Sequence, residues 1–308
     1  MRWRRSTAFA VAVLAAVAVL AGCGPSFSGL RVRIAAGSPG GVYSDLAQPL
    51  ADAWAADLGI ERPAVLSTQG SLDNLRQVES GRADVAFVAA DLAAEEAAET
   101  HGKLAALARI HDDYLHIVVR SDSPYTSVAM LRGHRIATGS PESGVEYIAD
   151  RVLQVAGLQD GFPAPLGLKD SLDALENHTI DALFWSGGLP TPLITTYSAK
   201  IGLRLLDMSS LMPRMQEFSP VYGTATIPGS TYNQPGPVVT LVVPNFLVVP
   251  TSMPADVAEA LTRGLFDARP ALVRANHAAL SIDVHPGIET EPLPLHPGAL
   301  SYYRSVKT

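Results

Sequence analysis

A short stretch of this chain occurs twice. Arg33-Ile34-Ala35-Ala36-Gly37-Ser38-Pro39 returns as Arg135-Ile136-Ala137-Thr138-Gly139-Ser140-Pro141, 102 residues later. Downstream, Ser71-Leu72-Asp73-Asn74-Leu75 returns as Ser171-Leu172-Asp173-Ala174-Leu175 after 100 residues. Each copy then leads into an acid and an apolar run, Asp84-Val85-Ala86-Phe87 and Asp181-Ala182-Leu183-Phe184. One short match is within reach of chance. Two in the same order at nearly constant separation predict two similar lobes. Short apolar runs alternate with helical patterns throughout, the mark of an α/β fold with a mainly parallel sheet.

Within that frame the elements can be placed. Arg31 to Gly37 reads as a strand. Val42 to Leu58 reads as a helix, with Val42, Leu46, Leu50, Trp54 and Leu58 along one face. A second helix, Leu72 to Ser80, stops at Gly81, a C-terminal capping glycine. Strands follow at Ala83 to Ala89 and Leu115 to Arg120, with Asp112-Asp113 read as a loop between strands. Val238 to Pro250 is a long β-rich run, interrupted by Pro244, that would return the chain to the first lobe. Pro254 to Ala275 is helical with a break at Pro270, and 283–298 is Pro-rich surface chain. With 308 residues, 47% of them hydrophobic, the chain has ample material for one large or two medium domains. The predicted division is 31–120 plus 238–308 for lobe 1 and 121–237 for lobe 2.

The N-terminus predicts an address. Arg2, Arg4 and Arg5 precede an apolar run from Ala8 to Ala21, too short to span a bilayer, and then Leu20-Ala21-Gly22-Cys23. That junction resembles the lipobox of bacterial lipoprotein signal peptides. It implies removal of residues 1–22, acylation of Cys23, a tether over 23–30, and a protein held on the extracytoplasmic face of the cell membrane. Cys23 is the sole cysteine, so the chain has no internal disulfide and no other thiolate for metal or catalysis. A net charge of −7 without a basic block excludes a nucleic-acid surface.

The repeated element has a chemical meaning as well as a structural one. In each copy a strand ends in Gly-Ser-Pro, a small-residue turn follows, and a helix begins. First-turn N–H groups lack internal partners and carry partial positive charge, so such a turn is an anion site. The same glycines would also serve plain strand-to-helix packing.

The residues further resemble the TAXI-type solute-binding subunits of TRAP transporters. The resemblance is carried by Gly40-Gly41-Val42-Tyr43, Gln69-Gly70-Ser71 with Asn74, Gly81 to Asp84, and Leu115 to Arg120. It continues through Gly139 to Glu146, Ile180 to Pro190, Thr226-Ile227-Pro228, and Leu295-His296-Pro297-Gly298 with Tyr302-Tyr303. It implies a two-lobed type II periplasmic-binding-protein fold with the ligand cleft between lobes. It also implies a monomer that binds a small carboxylate, an amino acid or organic acid, for an ion-driven membrane permease. The ligand-binding residues it implies are Val42 and Tyr43, Ser71 and Asn74, Gly144, Val145 and Glu146, Trp185, Ser186 and Gly187, and Tyr222. Ser71 as a plain helix cap and Trp185 as a core residue are the alternatives. Ser44 stands where the family commonly has a second tyrosine, and Ala90 where a polar residue is common, so the ligand itself is left open.

Enzyme readings find no support in the motifs. The chain lacks Gly-x-Ser-x-Gly, a phosphate-binding Gly-x-x-x-x-Gly-Lys-[Ser/Thr] loop and His-Glu-x-x-His. His111 and His116 have the wrong spacing for one helix face and read as structural. No catalytic residue, metal or cofactor is expected. A lipoprotein feeding a sensor histidine kinase is the alternative to a transporter subunit.

Overall fold

The computed structural model describes residues 27–100, 102–159 and 161–307. The signal segment 1–22, Cys23 and the tether up to Ser26 lie outside the described residues. The strands are β1 Arg33–Ala35, β2 Ala64–Leu66, β3 Val85–Ala89, β4 Leu104–Arg120, β5 Arg135–Ala137, β6 Phe162–Ala164, β7 Ala182–Gly187, β8 Leu203–Leu205, β9 Gly223–Ile227 and β10 Val238–Pro250. The helices that matter for the site are α1 Val42–Leu58, α2 Ser71–Glu79, α3 Ala90–Thr100, α4 Gly144–Ala156 and α5 Leu168–Glu176. Pro192–Ile201 (α6), Met212–Phe218 (α7), Ala255–Asp267 (α8) and Arg269–Ala275 (α9) cover the outer faces.

The strands join in the order β2-β1-β3-β10-β4-β7-β5-β6, with β8 on β4 and β9 on β10. β1, β2 and β3 are mutually parallel, and so are β5, β6 and β7. These are the two copies of the repeat. Between them run β4 and β10, antiparallel to each other, with β10 antiparallel to β3 and β4 antiparallel to β7. Their partners change partway along. β10 pairs with β9 over Val238–Val242 and with β3 over Asn245–Val248. β4 faces β10 from Leu104 to Tyr114, then pairs with β7 over Tyr114–Val118 and β8 over Val118–Arg120. Asp112 and Asp113, expected in a loop, lie inside β4 because the strand continues through them into the second half.

The repeat is physical as well as textual. Asp84 accepts from the backbone N–H of Arg33 at 2.8 Å and from its guanidinium at 2.8 and 2.9 Å. Asp181 does the same for Arg135, at 2.9 Å from the backbone and 3.2 Å from Nε. In each half this clasp ties the start of the first strand to the start of the third. Each half also has its own apolar layer. Leu46, Leu50 and Trp54 of α1 are fully buried against β3, β10 and α8, with Trp54 Nε1 donating to the Leu261 carbonyl at 3.0 Å. Leu172 and Leu175 of α5 pack with Ile194, Tyr197 and Tyr232. A third cluster, containing Val88, Val145, Ile148, Phe184 and Phe246, draws on both halves. No helix among the described residues is long and apolar enough to cross a membrane.

The two clasps predict matched behaviour. Asp84→Ala and Asp181→Ala should each cost about 1–3 kcal/mol, mostly from the stranded backbone donor rather than the half-exposed ion pair. Their effects should add, since the sites share no partner. Urea unfolding of the two variants and the double variant measures this. A loss below ~0.5 kcal/mol in either would show the carboxylate to be merely solvated.

Candidate functional site

A cavity of about 270 Å³ lies where the two copies of the repeat face each other. Four helices start at its wall. Gly41, Gly70 and Gly167 precede α1, α2 and α5, and none supplies a side-chain cap. The first-turn N–H groups of those helices are therefore left without the usual hydroxyl or carboxylate partner. The fourth, α4, has Ser143 as its cap. Its Oγ accepts from the Glu146 N–H at 3.1 Å and leaves those of Gly144 and Val145 for other partners. Glycine is required in the turns themselves. Gly37 and Gly139, equivalent in the repeat, have φ of 70° and 100°, and a Cβ on Gly139 would lie 2.7 Å from Val145 Cβ.

The halves touch across the cleft. A Cβ on Gly70 would sit 3.2 Å from Ser143 Cα, so α2 and α4 meet backbone to backbone. Ion pairs bridge the same gap, Arg76 with Glu142 and Arg151 with Glu95. Tyr222, from the second half, donates to Asp91 Oδ2 in the first at 2.8 Å.

Eight of the eleven expected ligand residues line the cavity: Val42, Tyr43, Ser71, Gly144, Val145, Trp185, Ser186 and Gly187. Their polar atoms are largely engaged already. The Ala89 N–H donates to Ser71 Oγ at 3.1 Å, Ser71 Oγ lies 3.1 Å from the Tyr43 hydroxyl, and Tyr43 donates to Asn245 Oδ1. Burial, with the charges of Asp113 and Asp91 adding to it, keeps that phenol protonated by raising its pKa well above the ordinary value. What Tyr43 presents is its ring. Ser71 is the first residue of α2, and the capping position belongs to Gly70.

Trp185 is half-buried, between the expected alternatives of wall and core. Its indole lines the cavity and lies on Gly187, where a Cβ would be 2.6 Å from Nε1. Nε1 donates to Thr191 Oγ1 at 3.1 Å, and the Thr191 N–H donates to the Tyr232 hydroxyl at 2.7 Å. Tyr232 meets His116 Nε2 at 3.0 Å, while His116 Nδ1 is 2.8 Å from the Tyr114 carbonyl. That carbonyl only accepts, so Nδ1 carries the proton and Nε2 accepts from Tyr232. Burial holds His116 neutral, its pKa lowered to about 4.

The other three expected residues lie outside the lining. Asn74 is fully buried, donating to the Phe87 carbonyl at 2.7 Å and accepting from Thr68, whose Oγ1 receives the Gly37 N–H at 2.8 Å. It therefore shapes the glycine turn from behind. The Glu146 carboxylate folds back to accept from the Glu142 N–H at 2.7 Å. Tyr222 is committed to Asp91.

Residues 34–306 match the NMT1-like family. The chain belongs to that family. Solved structures resemble this NMT1-like chain in fold. The periplasmic aliphatic sulphonate binding protein SsuA from Escherichia coli is 18% identical with a TM-score of 0.51, covering 91% of this chain and 79% of its own. The alkanesulfonate-binding SsuA from Xanthomonas axonopodis pv. citri, bound to MOPS, is 17% identical with a TM-score of 0.51, covering 92% and 85%. The periplasmic binding protein BugD is 14% identical with a TM-score of 0.52, covering 89% and 93%. The fold is thus the two-lobed one of periplasmic binding proteins.

The NMT1-like chain also lines its cavity with residues that motif reading missed. Gly167 to Asp170, at the start of α5, were detectable from the repeat, since they precede Ser171 as Gln69 and Gly70 precede Ser71. Asp113 was hidden by the loop reading. Lys169 is the one cation among the described lining residues, and it is paired with Asp173. Three carboxylates line the cavity as well: Asp91, Asp113 and Asp170. Among the described residues, no cluster of His, Cys, Asp and Glu could hold a metal ion.

Burial raises the Asp91 pKa to about 6 from 3.8, against the opposing pull of the Tyr222 hydroxyl, the Leu92 N–H and Arg151. A folded pKa above the unfolded one gives stability that is full below the unfolded value and lost as pH rises to about 6. Asp91→Asn keeps an acceptor for Tyr222 and removes the titration. Relative to wild type it should gain on the order of 2–3 kcal/mol between about pH 4 and about pH 7. Paired melting curves across that range test it. A pH-independent difference would mean that Asp91 ionises in the fold like a surface acid.

Proposed function

We propose that this chain is an extracytoplasmic solute-binding protein that closes on a small carboxylate-bearing molecule, an amino acid or organic acid, and delivers it to a TRAP-type permease. The observation that carries the reading is the convergence of four helix N-termini, three of them uncapped, on one small cavity between two copies of a repeat. Such an arrangement solvates an anion with fixed N–H groups. A neighbour in fold described as binding sulphonates, which are also anions, is in keeping with it. The TRAP partner rests on the TAXI-like motifs alone.

The ligand would lie against Val42 and Tyr43 on one side and Gly144 and Val145 on the other. The Tyr43 and Trp185 rings, Ser71, Ser186 and Gly187 would complete its surroundings. Lobe 1 would comprise 31–120 plus 238–308 and lobe 2 residues 121–237, with the hinge where β4 and β10 change partners. Binding rather than catalysis suits a lining that presents no nucleophile paired with a free base. Cys23, acylated, would hold the protein at the membrane surface.

A melting-temperature screen of carboxylates tests the core of this. A true ligand at a hundredfold excess over its Kd should stabilise the protein by about 2.7 kcal/mol. Trp185→Ala should weaken that ligand at least tenfold without unfolding the chain, and consumption of the compound would instead indicate an enzyme. Separately, Cys23→Ala should move the protein from the membrane fraction to the soluble one. Retention in the membrane would mean that residues 1–22 remain as an anchor.

A further inference from the structure

The floor of the cavity holds a charge that carboxylate capture leaves unused. Asp113 lies in β4 opposite Val243, in the stretch where the two long strands pass from one half to the other. It is 8% exposed and lines the cavity. Its Oδ1 is 3.1 Å from Nε2 of His111, which is 1% exposed. His111 Nδ1 is buried without a partner. His111 is the one side chain among the described residues that hydrogen-bonds to Asp113. Among the described residues, no lysine or arginine pairs with Asp113.

Asp91 beside it is differently placed. Tyr222 and the Leu92 N–H, each at 2.8 Å, satisfy both of its oxygens. Lys169 is held by Asp173 at the rim. A largely buried carboxylate with no lysine or arginine beside it favours a ligand that brings a cation. Two aromatic rings, Tyr43 and Trp185, line the same cavity, and aromatic rings are favourable neighbours for a cation.

We propose that Asp113 is the specificity-determining residue of the cleft, and that the solute it admits is a zwitterion whose protonated amine meets Asp113 while its carboxylate meets the helix N-termini. This rests on the solute-binding reading above and narrows it. A dicarboxylate or an alkanesulfonate would leave Asp113 uncompensated and add a like charge near it.

The test uses the full-length chain and two matched panels. One contains L-alanine, L-leucine, L-glutamate, L-glutamine and γ-aminobutyrate. The other contains the acids lacking the amine, including propionate, glutarate and 2-oxoglutarate. Melting shifts and titration calorimetry should show at least one zwitterion binding about a hundredfold or more tighter than its amine-free partner, roughly the cost of leaving one buried charge unpaired. Asp113→Asn should reduce that preference to less than tenfold. Equal or tighter binding of the amine-free acid overturns the proposal while leaving carboxylate capture intact, and so does an unchanged preference in Asp113→Asn. Binding of neither panel overturns carboxylate capture itself, and the amine site with it. The wild-type comparison stands even where the variant folds poorly.

Discussion

The ladder between β4 and β10 is the interaction on which the rest of the molecule depends. It is the one pairing shared by both halves, and each parallel triplet hangs from a different stretch of it. Because both triplets present the C-terminal ends of their strands toward this shared ladder, the helix starts that follow those strands meet across one line. Asp113 and Val243 come from the ladder itself, so it also supplies the floor. A shift of register would flip the faces of both strands and disperse the site.

Two hydrogen-bonded circuits hold the walls. In the first half the circuit runs from the Ala89 N–H through Ser71 and Tyr43 to Asn245. In the second it runs from Trp185 to Thr191, whose N–H continues through Tyr232 to His116. Fully satisfied networks of this kind rigidify what they connect. They also engage the Tyr43 and Ser71 hydroxyls that a list of polar lining residues would assign to the ligand.

Much of this was legible because the repeat encodes it locally. The Gly37 and Gly139 turns, the step-of-four stripe of α1 and the capping role of Gly81 all follow from neighbours in sequence. Val238–Pro250 is a strand as expected, but it runs on through Pro244, where the sequence suggests an interruption. Legibility ended where a residue's role depends on the opposite half. Asp112-Asp113 looked like a polar loop because nothing nearby in sequence reveals that β4 runs on for 17 residues between partners from both halves. Asn74 and Tyr222 looked like ligand groups because their true partners, Thr68 with Phe87 and Asp91, become visible only in three dimensions. The lobe limits drawn at 120 and 238 fall at strand ends, whereas the ladder changes partners several residues inside them.

The repeat gives the cleft two walls that are nearly equivalent, and two equivalent walls cannot tell one end of a molecule from the other. Asp113 belongs to neither copy, lying on the strand between them. On the proposed reading it adds a point of the opposite sign to the helix N-termini. The two ends of a zwitterion are then told apart, and the direction in which the ligand lies is set by one residue that the duplication did not supply.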